Sequence, residues 1–525
     1  MAIHMTNSQK NGSNSPNNSP NPNNSHNTNN NHTNTATRHV EIAIIGAGTA
    51  GNSAYRQLRE QTDSIVIIND GYWTTTCATV GCMPSKLLIA AAKRAYYAKQ
   101  SNEFGVIADV KIDGKTVMQR VQKERDRFAQ FVQDNVDGWD NHHKINGHAS
   151  IDANGLIRVN DERIHAERII IATGSTPFVP DGWQESLGER LLTSDGVFEL
   201  SDLPKSLAVV GAGAIGLELA QAFHRLGVTV RLFNRTDNLG GLQDNKVNAK
   251  AIACLSKELD MALNSDIQAV KLIDEQEQKQ VQIDYTDTNG DQQQFTCDYL
   301  LAATGRRNQL SNLGIEHLGV ELDDKGRPKQ HNKLTGQIAN LPVYVIGDAN
   351  GYLPLLHVAS TEGYMAGLQI KADINKEKND GDNLAKQKDT ISKLDTPISI
   401  VFSEPQIAQL GKSLSEIEDE NLAYVVSEVS FDNQGRSRVM GVNCGLLRLY
   451  VCKKSDCVLG ASMVAPDAEY IAHLLTYAIN HDLSLYSLLN TPFYHPTILE
   501  GLRTALREAQ AQMQLPYFDN PSASD

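Results

Sequence analysis

The chain has few aromatic residues, few cysteines, no long apolar run and no excess of positive charge. Of its 525 residues, 6% are aromatic and seven are cysteines, and the formal net charge is -14. No apolar run approaches the ~18 residues that span a bilayer. The acidic balance argues against binding to nucleic acid or to an anionic membrane. The cysteines are too few and too scattered for a disulfide-stapled secreted fold, so we expect a reducing, cytoplasmic setting.

The first 36 residues differ from the rest of the chain in composition. They contain thirteen asparagines together with Ser, Pro, Thr and His, and almost no apolar side chains. Such a segment cannot bury enough apolar surface to offset its ordering entropy, so we expect it to be disordered. It has neither the apolar core of a secretory signal nor the arginine-rich helix of a transit peptide.

Two glycine-rich turns, 46–51 and 211–216, each follow an apolar segment that predicts a buried strand. Their glycines are Gly46, Gly48 and Gly51 in the first turn and Gly211, Gly213 and Gly216 in the second. Each turn precedes a helical pattern and another buried strand. In this βαβ context the glycines let backbone N–H groups approach a pyrophosphate. A tight turn without a ligand could explain one copy, but two copies predict two dinucleotide-binding sites.

Between the two turns lie Cys77 and Cys82, with four residues between them. They could be structural thiols or half of a metal site. The spacer is unusual for zinc, however, and no second Cys or His pair lies nearby in the pattern, so we expect no metal. Residues 84–94 predict a helix, which puts Cys82 just before a helix N-terminus, where the dipole favours a thiolate. We therefore predict a redox-active disulfide that exchanges electrons with a flavin and a nicotinamide.

The C-terminal third contains a second C-x4-C pair and a histidine near a carboxylate. Cys452 and Cys457 flank a polar segment typical of a hairpin tip, so we expect no catalytic role for them. His495 precedes a proline and lies five residues before Glu500. Alone, such a histidine is more often a packed loop residue than a base. In a protein with a redox disulfide it could carry thiol protons while the carboxylate orients the imidazole.

The pattern of strands and helices predicts an α/β chain with two Rossmann-like dinucleotide-binding domains and an α+β C-terminal domain. The segment 343–348 predicts a strand with Asp348 at its carboxyl end, where open α/β sheets bind ligands. Residues 373–394 are rich in Lys, Asp, Asn and Gln, which predicts a solvated linker. After the linker we expect strands at 398–402, 423–431, 445–452 and 458–464, and helices at 467–481 and 497–512.

From about residue 38 to 512 the chain resembles the class I pyridine nucleotide-disulfide oxidoreductases, and among them it is most similar to dihydrolipoyl dehydrogenases. Besides the two glycine-rich turns, the motifs that carry this resemblance are Cys77 to Lys86, Ala172-Thr173-Gly174, Thr304-Gly305-Arg306-Arg307, Gly347-Asp348, Leu356-His357-Val358-Ala359, Glu362-Gly363, and His495-Pro496 with Glu500. The set is highly specific for this family. The chain end lacks the terminal cysteine pair of mercuric reductases and the redox tail of large thioredoxin reductases.

The resemblance implies two cofactors, FAD in the first domain and NAD or NADP in the second. Asp348 would contact the ribityl chain of FAD, and Lys86 would form an ion pair with Glu218 near the flavin. The C-terminal domain would form a two-fold homodimer in which His495 and Glu500 reach the disulfide of the other subunit. The remaining cofactor-binding residues that we expect are Asn69, Asp70, Ala149, Thr173, Gly174, Asn234, Arg235 and Gly305.

The implied domains are an FAD-binding domain at 37–186, an NAD(P)-binding domain at 187–313, a return to the FAD-binding part with the polar linker at 314–392, and a dimerisation domain at 393–525. Residues 1–36 form the tail.

The chain departs from the family pattern at three places. Thr74-Thr75-Thr76 stands where Gly-Gly-Thr usually precedes the first redox cysteine. Asn69 replaces the acidic residue that would bind the adenosine ribose, with Asp70 next to it. Asn234, followed by Arg235, replaces the corresponding acid in the second domain. An acid there favours NAD, whereas an arginine can accept the 2′-phosphate of NADP.

The resemblance implies an enzyme that oxidises dihydrolipoamide to lipoamide, with NAD(P)+ as acceptor. Cys77 would exchange with the substrate, His495 would take the proton, and Cys82 would lie beside the flavin. One alternative is an NADPH-dependent reductase of another small disulfide, similar to glutathione reductase. An alternative of another class is a flavoprotein redox sensor of low turnover that signals through residues 1–36. Arg235 mildly favours the reductase, and the intact His495–Glu500 pair argues against the sensor.

Overall fold

The computed structural model describes residues 36–275, 278–377 and 396–515. The predicted disordered tail lies outside the described residues except for Ala36. The predicted linker lies outside them from residue 378 onward. All the motifs that carry the resemblance lie inside them.

The strands at 144–177 and at 260–308 follow one another directly along the chain, whereas helices separate most of the others. The strands are β1 Arg38–Ile45, β2 Ile65–Asn69, β3 Lys144–Asn146, β4 Ala149–Ile151, β5 Ile157–Val159, β6 Glu162–Ile171, β7 Ser175–Pro177, β8 Leu191–Thr193, β9 Ser206–Val210, β10 Thr229–Phe233, β11 Asp260–Ala262, β12 Asp266–Glu275, β13 Gln278–Thr286, β14 Gln292–Cys297, β15 Tyr299–Ala302, β16 Arg306–Asn308, β17 Val343–Val345, β18 Ile398–Val401, β19 Gln406–Gly411, β20 Tyr424–Ser430, β21 Leu446–Cys452 and β22 Val458–Ala465.

Three long helices, α3, α4 and α8, account for much of the helical structure. The helices are α1 Thr49–Leu58, α2 Thr76–Thr79, α3 Cys82–Gln100, α4 Gly114–Asp137, α5 Trp183–Leu187, α6 Ala214–Arg225, α7 Asn245–Leu255, α8 Leu356–Glu377, α9 Leu414–Asp419, α10 Gly435–Val439, α11 Ala468–Asn480, α12 Leu485–Leu489 and α13 Leu499–Gln512. None of the helices in the described ranges is long and apolar enough to cross a bilayer.

Two parallel sheets repeat one topology. The first has the parallel order β3-β2-β1-β6-β17, and the second has the order β11-β10-β9-β15-β8. In each sheet the central strand leads into a glycine-rich turn and a helix, α1 or α6. A three-stranded antiparallel sheet, β12-β13-β14, accompanies the second parallel sheet. The predicted α/β duplication is confirmed. It places both glycine-rich turns at the carboxyl ends of their sheets, where ligands bind.

Helix α8 corrects one predicted boundary. The polar composition from Asp373 onward predicts a linker, but the helix continues to Glu377. Ile370 and Ile374 are buried in the same apolar cluster as Ala54 and Leu58 of α1. Because these isoleucines are four residues apart, they share one helix face, and their burial against α1 extends the helix into a polar segment.

The C-terminal domain is one five-stranded antiparallel sheet packed with helices. Its order is β18-β19-β22-β21-β20, and all neighbouring strands are antiparallel. Helices α11 and α13 contribute buried Leu475, Leu502 and Leu506 to the core of this sheet. The predicted sheet and helices are confirmed. Strand β19 was not predicted, although it is a central strand that pairs with both β18 and β22.

Candidate active site

The first glycine-rich turn forms an open cradle at the start of α1. A Cβ atom on Gly46 would lie 2.3 Å from the carbonyl oxygen of Ala172, and one on Gly51 would lie 1.9 Å from that of Gly46. These two glycines therefore let strand, turn and helix approach closely. Gly48 has open space where a Cβ would be, and α1 begins there without a side-chain cap. Its first N–H groups are therefore oriented to bind an anion.

The second turn repeats this geometry at the start of α6. A Cβ on Gly211 would lie 2.3 Å from the carbonyl oxygen of Ala303, and one on Gly216 would lie 1.8 Å from that of Gly211. Gly213 again has open space, and α6 again begins without a side-chain cap. Both predicted cradles are thus built to the same plan.

The asparagines that replace the acidic residues hold the turns rather than project outward. The side-chain oxygen Oδ1 of Asn69 accepts the N–H of Ala47 at 3.0 Å, and Oδ1 of Asn234 accepts the N–H of Ala212 at 3.1 Å. Both amide nitrogens donate to carbonyl oxygens of their own loops. Neither Asn69 nor Asn234 therefore offers a carboxylate to a ribose.

The residues beside these asparagines follow the carboxyl ends of β2 and β10. Asp70 pairs with the imidazole of His148, with 2.9 Å between Oδ2 and Nδ1, next to buried Ala149. Arg235 is exposed directly after the carboxyl end of β10. Gly305 has a φ of +111°, a conformation that favours glycine, at the turn after β15.

A short loop between α2 and α3 brings the two cysteines together. Thr75 caps α2 by accepting the N–H of Ala78 on its side chain. A Cβ on Gly81 would lie 3.0 Å from the carbonyl oxygen of Thr76 and 3.2 Å from Cα of Cys77, so glycine lets the loop fold back on itself. Helix α3 begins at Cys82 itself, two residues earlier than the sequence predicts. The structure shows both cysteines as free thiols.

The two thiols differ in acidity because of their surroundings. A hydrogen bond from Cys77 lowers the pKa of Cys82, and the Lys86 ammonium lowers it further, against the opposing effect of burial. The same hydrogen bond, together with burial, raises the pKa of Cys77. The site therefore favours a thiolate at Cys82 and a protonated Cys77, as the helix N-terminus alone predicts for Cys82.

Lys86 is held by a buried carboxylate from the second dinucleotide-binding domain. Its Nζ lies 2.7 Å from Oε2 of Glu218, and the ring of Phe402 lies 4.6 Å below the ammonium. The other oxygen of Glu218 accepts the N–H of Phe402 at 2.9 Å. The predicted Lys86–Glu218 pair is present, and it joins α3 to α6. The contact with Phe402 could not be predicted because it depends on the path of the chain after β18.

A cavity of about 500 Å³ connects the cysteines to both cradles. The site residues predicted from sequence that line it are Gly48, Cys77, Cys82, Lys86, Gly174, Glu218 and Asp348. Around the first cradle, the buried side-chain oxygens Asn52 Oδ1, Thr74 Oγ1 and Thr173 Oγ1 have no hydrogen-bond partner in the described chain. The open cradle, the polar atoms without partners and the extended cavity together fit a large polar dinucleotide such as FAD.

A hydrogen-bonded row places Asp348 and joins the two parallel sheets. Ser175 donates from Oγ to Asp348 Oδ2 at 2.8 Å, and Arg306 donates from Nε to the same Ser175 Oγ at 2.9 Å. Arg306 also pairs with Asp195 at 3.2 Å. Glu362 accepts the N–H of Gly347 at 2.6 Å and so fixes the turn that carries Asp348. From sequence, Arg306 and Glu362 were named only as members of motifs, and Ser175 was given no role.

His495 and Glu500 form the predicted pair, but on a different surface. Nδ1 of His495 lies 2.9 Å from Oε1 of Glu500, and the other oxygen of Glu500 accepts the N–H of Thr497 at 2.9 Å. The His495 side chain is 80% exposed. Neither residue lines the cavity that holds the cysteines of the same chain, as far as the described residues extend. The imidazole is oriented by a carboxylate and presented outward.

Comparison with protein families gives two matches that follow one another along the chain. The model described as pyridine nucleotide-disulphide oxidoreductase matches residues 40–363. The model of the dimerisation domain of the same family matches residues 398–506. Proteins of this family are enzymes that bind FAD and NAD(P)H.

Individual relatives cover nearly the same region. A dihydrolipoyl dehydrogenase from Chlamydia pneumoniae is 29% identical over 472 residues, which is 88% of this chain and 95% of that protein. One from Staphylococcus aureus is 29% identical over 475 residues, covering 89% and 96%.

Among solved structures, the Cu(II) complex of the HOCl-induced flavoprotein disulfide reductase RclA from Escherichia coli has a TM-score of 0.71 at 22% identity, covering 90% of this chain and 100% of that one. LpdA from Mycobacterium tuberculosis has a TM-score of 0.70 at 21% identity, covering 90% and 99%. These structures share the fold. Two cradles, a dithiol between them and a C-terminal sheet domain agree with the family matches, and the chain belongs to the pyridine nucleotide-disulphide oxidoreductases.

Proposed function

We propose that this chain is a dihydrolipoyl dehydrogenase that oxidises dihydrolipoamide to lipoamide and reduces NAD(P)+. The observation that carries the proposal is the exposed His495–Glu500 pair on the dimerisation domain, separate from the cavity of its own chain. A general base oriented by a carboxylate is needed when a dithiol substrate must lose protons. We propose that a homodimer brings this pair to the cysteines of the other subunit. The names of the curated relatives support lipoamide as substrate.

The chemistry divides between the two cysteines. In the disulfide form, a substrate thiolate attacks Sγ of Cys77 and expels Cys82 as a thiolate, while the imidazole of His495 takes the substrate proton. The second substrate thiol then displaces Cys77, which leaves oxidised substrate and the dithiol that the structure shows. Two electrons and two protons have then entered the protein. Bound FAD supplies the two-electron step from the dithiol to the nicotinamide.

The environment of Cys82 suits it to be the thiolate that remains. The hydrogen bond from Cys77 and the Lys86 ammonium both stabilise its charge. The Glu218 carboxylate holds Lys86 in place from the second domain.

The proposal also includes four domain segments, 37–186, 187–313, 314–392 and 393–525. The return of β17 to the first sheet supports the third of these segments.

Initial rates test the substrate. Purified protein is assayed with dihydrolipoamide and NAD+ or NADP+ and, in the reverse direction, with lipoamide or glutathione disulfide and NADH or NADPH. We expect the lipoamide couple to give the highest kcat/KM. Higher kcat/KM with glutathione disulfide would replace the proposal with the second candidate. The FAD released on denaturation, one per chain, checks that the protein assayed is the holoenzyme.

The second candidate is an NADPH-dependent reductase of another small disulfide, and the end of β10 favours it. Asn234 is engaged with its own turn, so it offers no carboxylate to the 2′-hydroxyl of NAD. The exposed guanidinium of Arg235 lies next to it. An arginine at this edge can pair with a 2′-phosphate, and Arg pairs with phosphate in bidentate geometry.

Replacement of Arg235 tests whether this residue favours NADP(H) over NAD(H). A charge-assisted contact contributes ~1.5–3 kcal/mol, which corresponds to roughly 10- to 150-fold in affinity. Arg235→Ala should therefore raise KM for NADP(H) by about that factor and leave KM for NAD(H) nearly unchanged. Lys205→Ala is the control, because Lys205 is exposed before β9, at the amino end of the same sheet. Equal effects on both nucleotides would exclude a 2′-phosphate contact.

A further inference from the structure

Helix α7, which connects β10 to β11 of the second parallel sheet, is joined to the C-terminal sheet by a disulfide bond. Cys254, in the last turn of α7, forms a disulfide with Cys444, two residues before β21, with 5.9 Å between the Cα atoms. The two cysteines are 190 residues apart in the chain. They belong to the parts matched by different family models. Neither lines the cavity that holds Cys77 and Cys82, as far as the described residues show.

The disulfide is the last member of a row of contacts along one face of α7. Lys246 pairs with Glu428 at 2.6 Å, and Lys250 pairs with Asp432 at 2.6 Å. Cys254 follows four residues after Lys250, so the row keeps the i,i+4 spacing of a helix face. The helix and the sheet can therefore remain in register when the disulfide is open.

Just before α7, a buried carboxylate also joins this helix to the C-terminal sheet. Asp244 caps the helix and pairs with Arg448, and it accepts a hydrogen bond from the Tyr450 hydroxyl at 2.7 Å. Asp244 and Arg448 are both buried. A buried, satisfied ion pair fixes the position of α7 independently of the cysteines.

The two sulfurs have different surroundings. Cys254 is 6% exposed, whereas Cys444 is half-buried and lies 3.5 Å from the ammonium nitrogen of exposed Lys257. A neighbouring ammonium stabilises a thiolate, and a thiolate is the reactive form of cysteine. In the reduced pair, Cys444 is therefore the accessible, activated sulfur, and Cys254 is the protected one.

We propose that Cys254 and Cys444 are a second redox site, a reversible clamp between the nicotinamide-binding part and the dimerisation sheet. A hydroperoxide is the oxidant. The Cys444 thiolate attacks its terminal oxygen, the O–O bond breaks, and Cys444 becomes a sulfenic acid as alcohol or water leaves. The Cys254 thiol then attacks the sulfenic sulfur, which forms the disulfide and releases water. A small thiol such as glutathione reverses the reaction by exchange.

The clamp is tested on the FAD holoenzyme by mass spectrometry. Reduced enzyme is exposed to hydrogen peroxide, and a second sample is equilibrated in glutathione buffers of varied ratio. Free thiols are then blocked before digestion. We expect a Cys254–Cys444 cross-linked peptide that appears with peroxide and titrates reversibly with the glutathione ratio. A peptide that stays cross-linked at every ratio would show a static structural disulfide. Failure of the peptide to form from reduced enzyme would show that the pair is not oxidised. Either result overturns the proposal.

Lys257 tests the assigned roles of the sulfurs. Loss of the neighbouring ammonium removes a stabilising influence on the Cys444 thiolate and should lower the thiolate fraction by roughly threefold. Lys257→Gln should therefore slow peroxide-driven cross-linking by about that factor, whereas replacement of Lys453, an exposed lysine in the domain that carries Cys444, by Gln should not. Sulfenic acid trapped by dimedone in Cys254→Ser should be on Cys444. Sulfenic acid found on Cys254 in Cys444→Ser, with none on Cys444 in Cys254→Ser, would overturn the assignment.

Amide exchange measures the effect on the structure. Opening the clamp should increase hydrogen exchange in α7 and at the start of β21 in wild-type enzyme. The same treatment should change nothing in Cys254→Ser, in which exchange should already equal that of reduced wild type. Cys452→Ser is the matched control and should behave as wild type. Equal exchange of α7 in oxidised and reduced wild type would show that the bond does not clamp the two parts.

Discussion

The chain contains the spacing C-x4-C twice, and the two copies lie in very different surroundings. Cys77 and Cys82 lie in a cavity between two dinucleotide cradles, where α3 begins. Cys452 and Cys457 flank a hairpin tip between β21 and β22, where the N–H of Cys452 donates to the carbonyl oxygen of Cys457 at 2.9 Å. The spacing is the same, so any difference in chemistry comes from the environment.

Each pair has one thiol whose pKa is lowered and one whose pKa is raised, but the causes differ. At the first pair, the hydrogen bond from Cys77 lowers the pKa of Cys82, and Lys86 adds to the effect. At the second pair, burial raises the pKa of Cys457, whereas at Cys452 burial is outweighed by hydrogen bonds with Ser455 and Lys454, so its pKa is lowered. The Cys457 thiol donates to the carbonyl oxygens of Ser455 and Asp482, which favours its protonated form. Because Lys454 lies near the second pair as well, a cation and the spacing are not sufficient, and the cavity is what distinguishes the first pair.

The largest contrast should appear when one sulfur of each pair is removed. Cys82→Ser should lower lipoamide turnover by roughly 10³-fold or more, because exchange with Cys77 cannot be completed without the second sulfur. Cys457→Ser should change turnover less than twofold, since its thiol contacts the backbone carbonyl oxygens of Ser455 and Asp482 and is not among the described residues that line the cavity. Steady-state rates measured at equal FAD content check this, and a comparable loss in both variants would remove the distinction between the pairs.

We also expect the first pair to depend on His495 as a base. His495→Gln should lower thiol–disulfide turnover by ~10²-fold or more, the usual size of a general acid–base contribution. Reduction of the enzyme by NAD(P)H, followed by flavin absorbance in stopped flow, should be largely unaffected.

Mixed dimers locate this base. Neither His495→Gln nor Cys77→Ser homodimers should turn over lipoamide. Exchange of subunits should restore one good site per heterodimer, made from Cys77 of one chain and His495 of the other. Heterodimers that form but stay inactive would show that the base does not act across the subunit interface.

A pH titration compares the two environments directly. In reduced enzyme, the pKa of Cys82 is lowered, so its thiolate should persist below the ordinary cysteine value of ~8.5. The pKa of Cys457 is raised, so its thiolate should form only above that value. Site-resolved alkylation rates with iodoacetamide should therefore rise at lower pH for Cys82 than for Cys457. Profiles that coincide would contradict the assigned difference.

The smallest effect should come from the cation beside the first pair. Lys86→Gln removes the second stabilising influence on the Cys82 thiolate but keeps the hydrogen bond from Cys77. The alkylation profile of Cys82 should shift to higher pH by about half a unit, or roughly threefold in rate below the pKa. Lys454→Gln, beside the second pair, should leave the profile of Cys82 unchanged. A shift of Cys82 with both variants would indicate a general charge effect.

Prediction from sequence worked best where one local pattern decides the outcome. The two βαβ units were predictable because strand, glycine turn and helix are contiguous in each. The proximity of Cys77 and Cys82 was predictable because only four residues separate them. The end of α8 was predicted wrongly, since the buried contacts of Ile374 with α1 outweigh its polar neighbours. Strand β19 was missed because its own residues do not indicate that it pairs with β18 on one side and β22 on the other.

The sequence by itself determined the class of fold, the two cradles and the dithiol between them. Glycine conformation, β-branched strands and a helix N-terminus act over a few residues, so their consequences can be predicted locally. The tertiary structure decided how Asn69 and Asn234 turn inward, how Ser175 and Arg306 place Asp348, and that Cys254 meets Cys444. These contacts join residues that are far apart in the chain. They form only when packing of the whole domains brings the side chains within hydrogen-bonding or covalent distance, which no local pattern specifies.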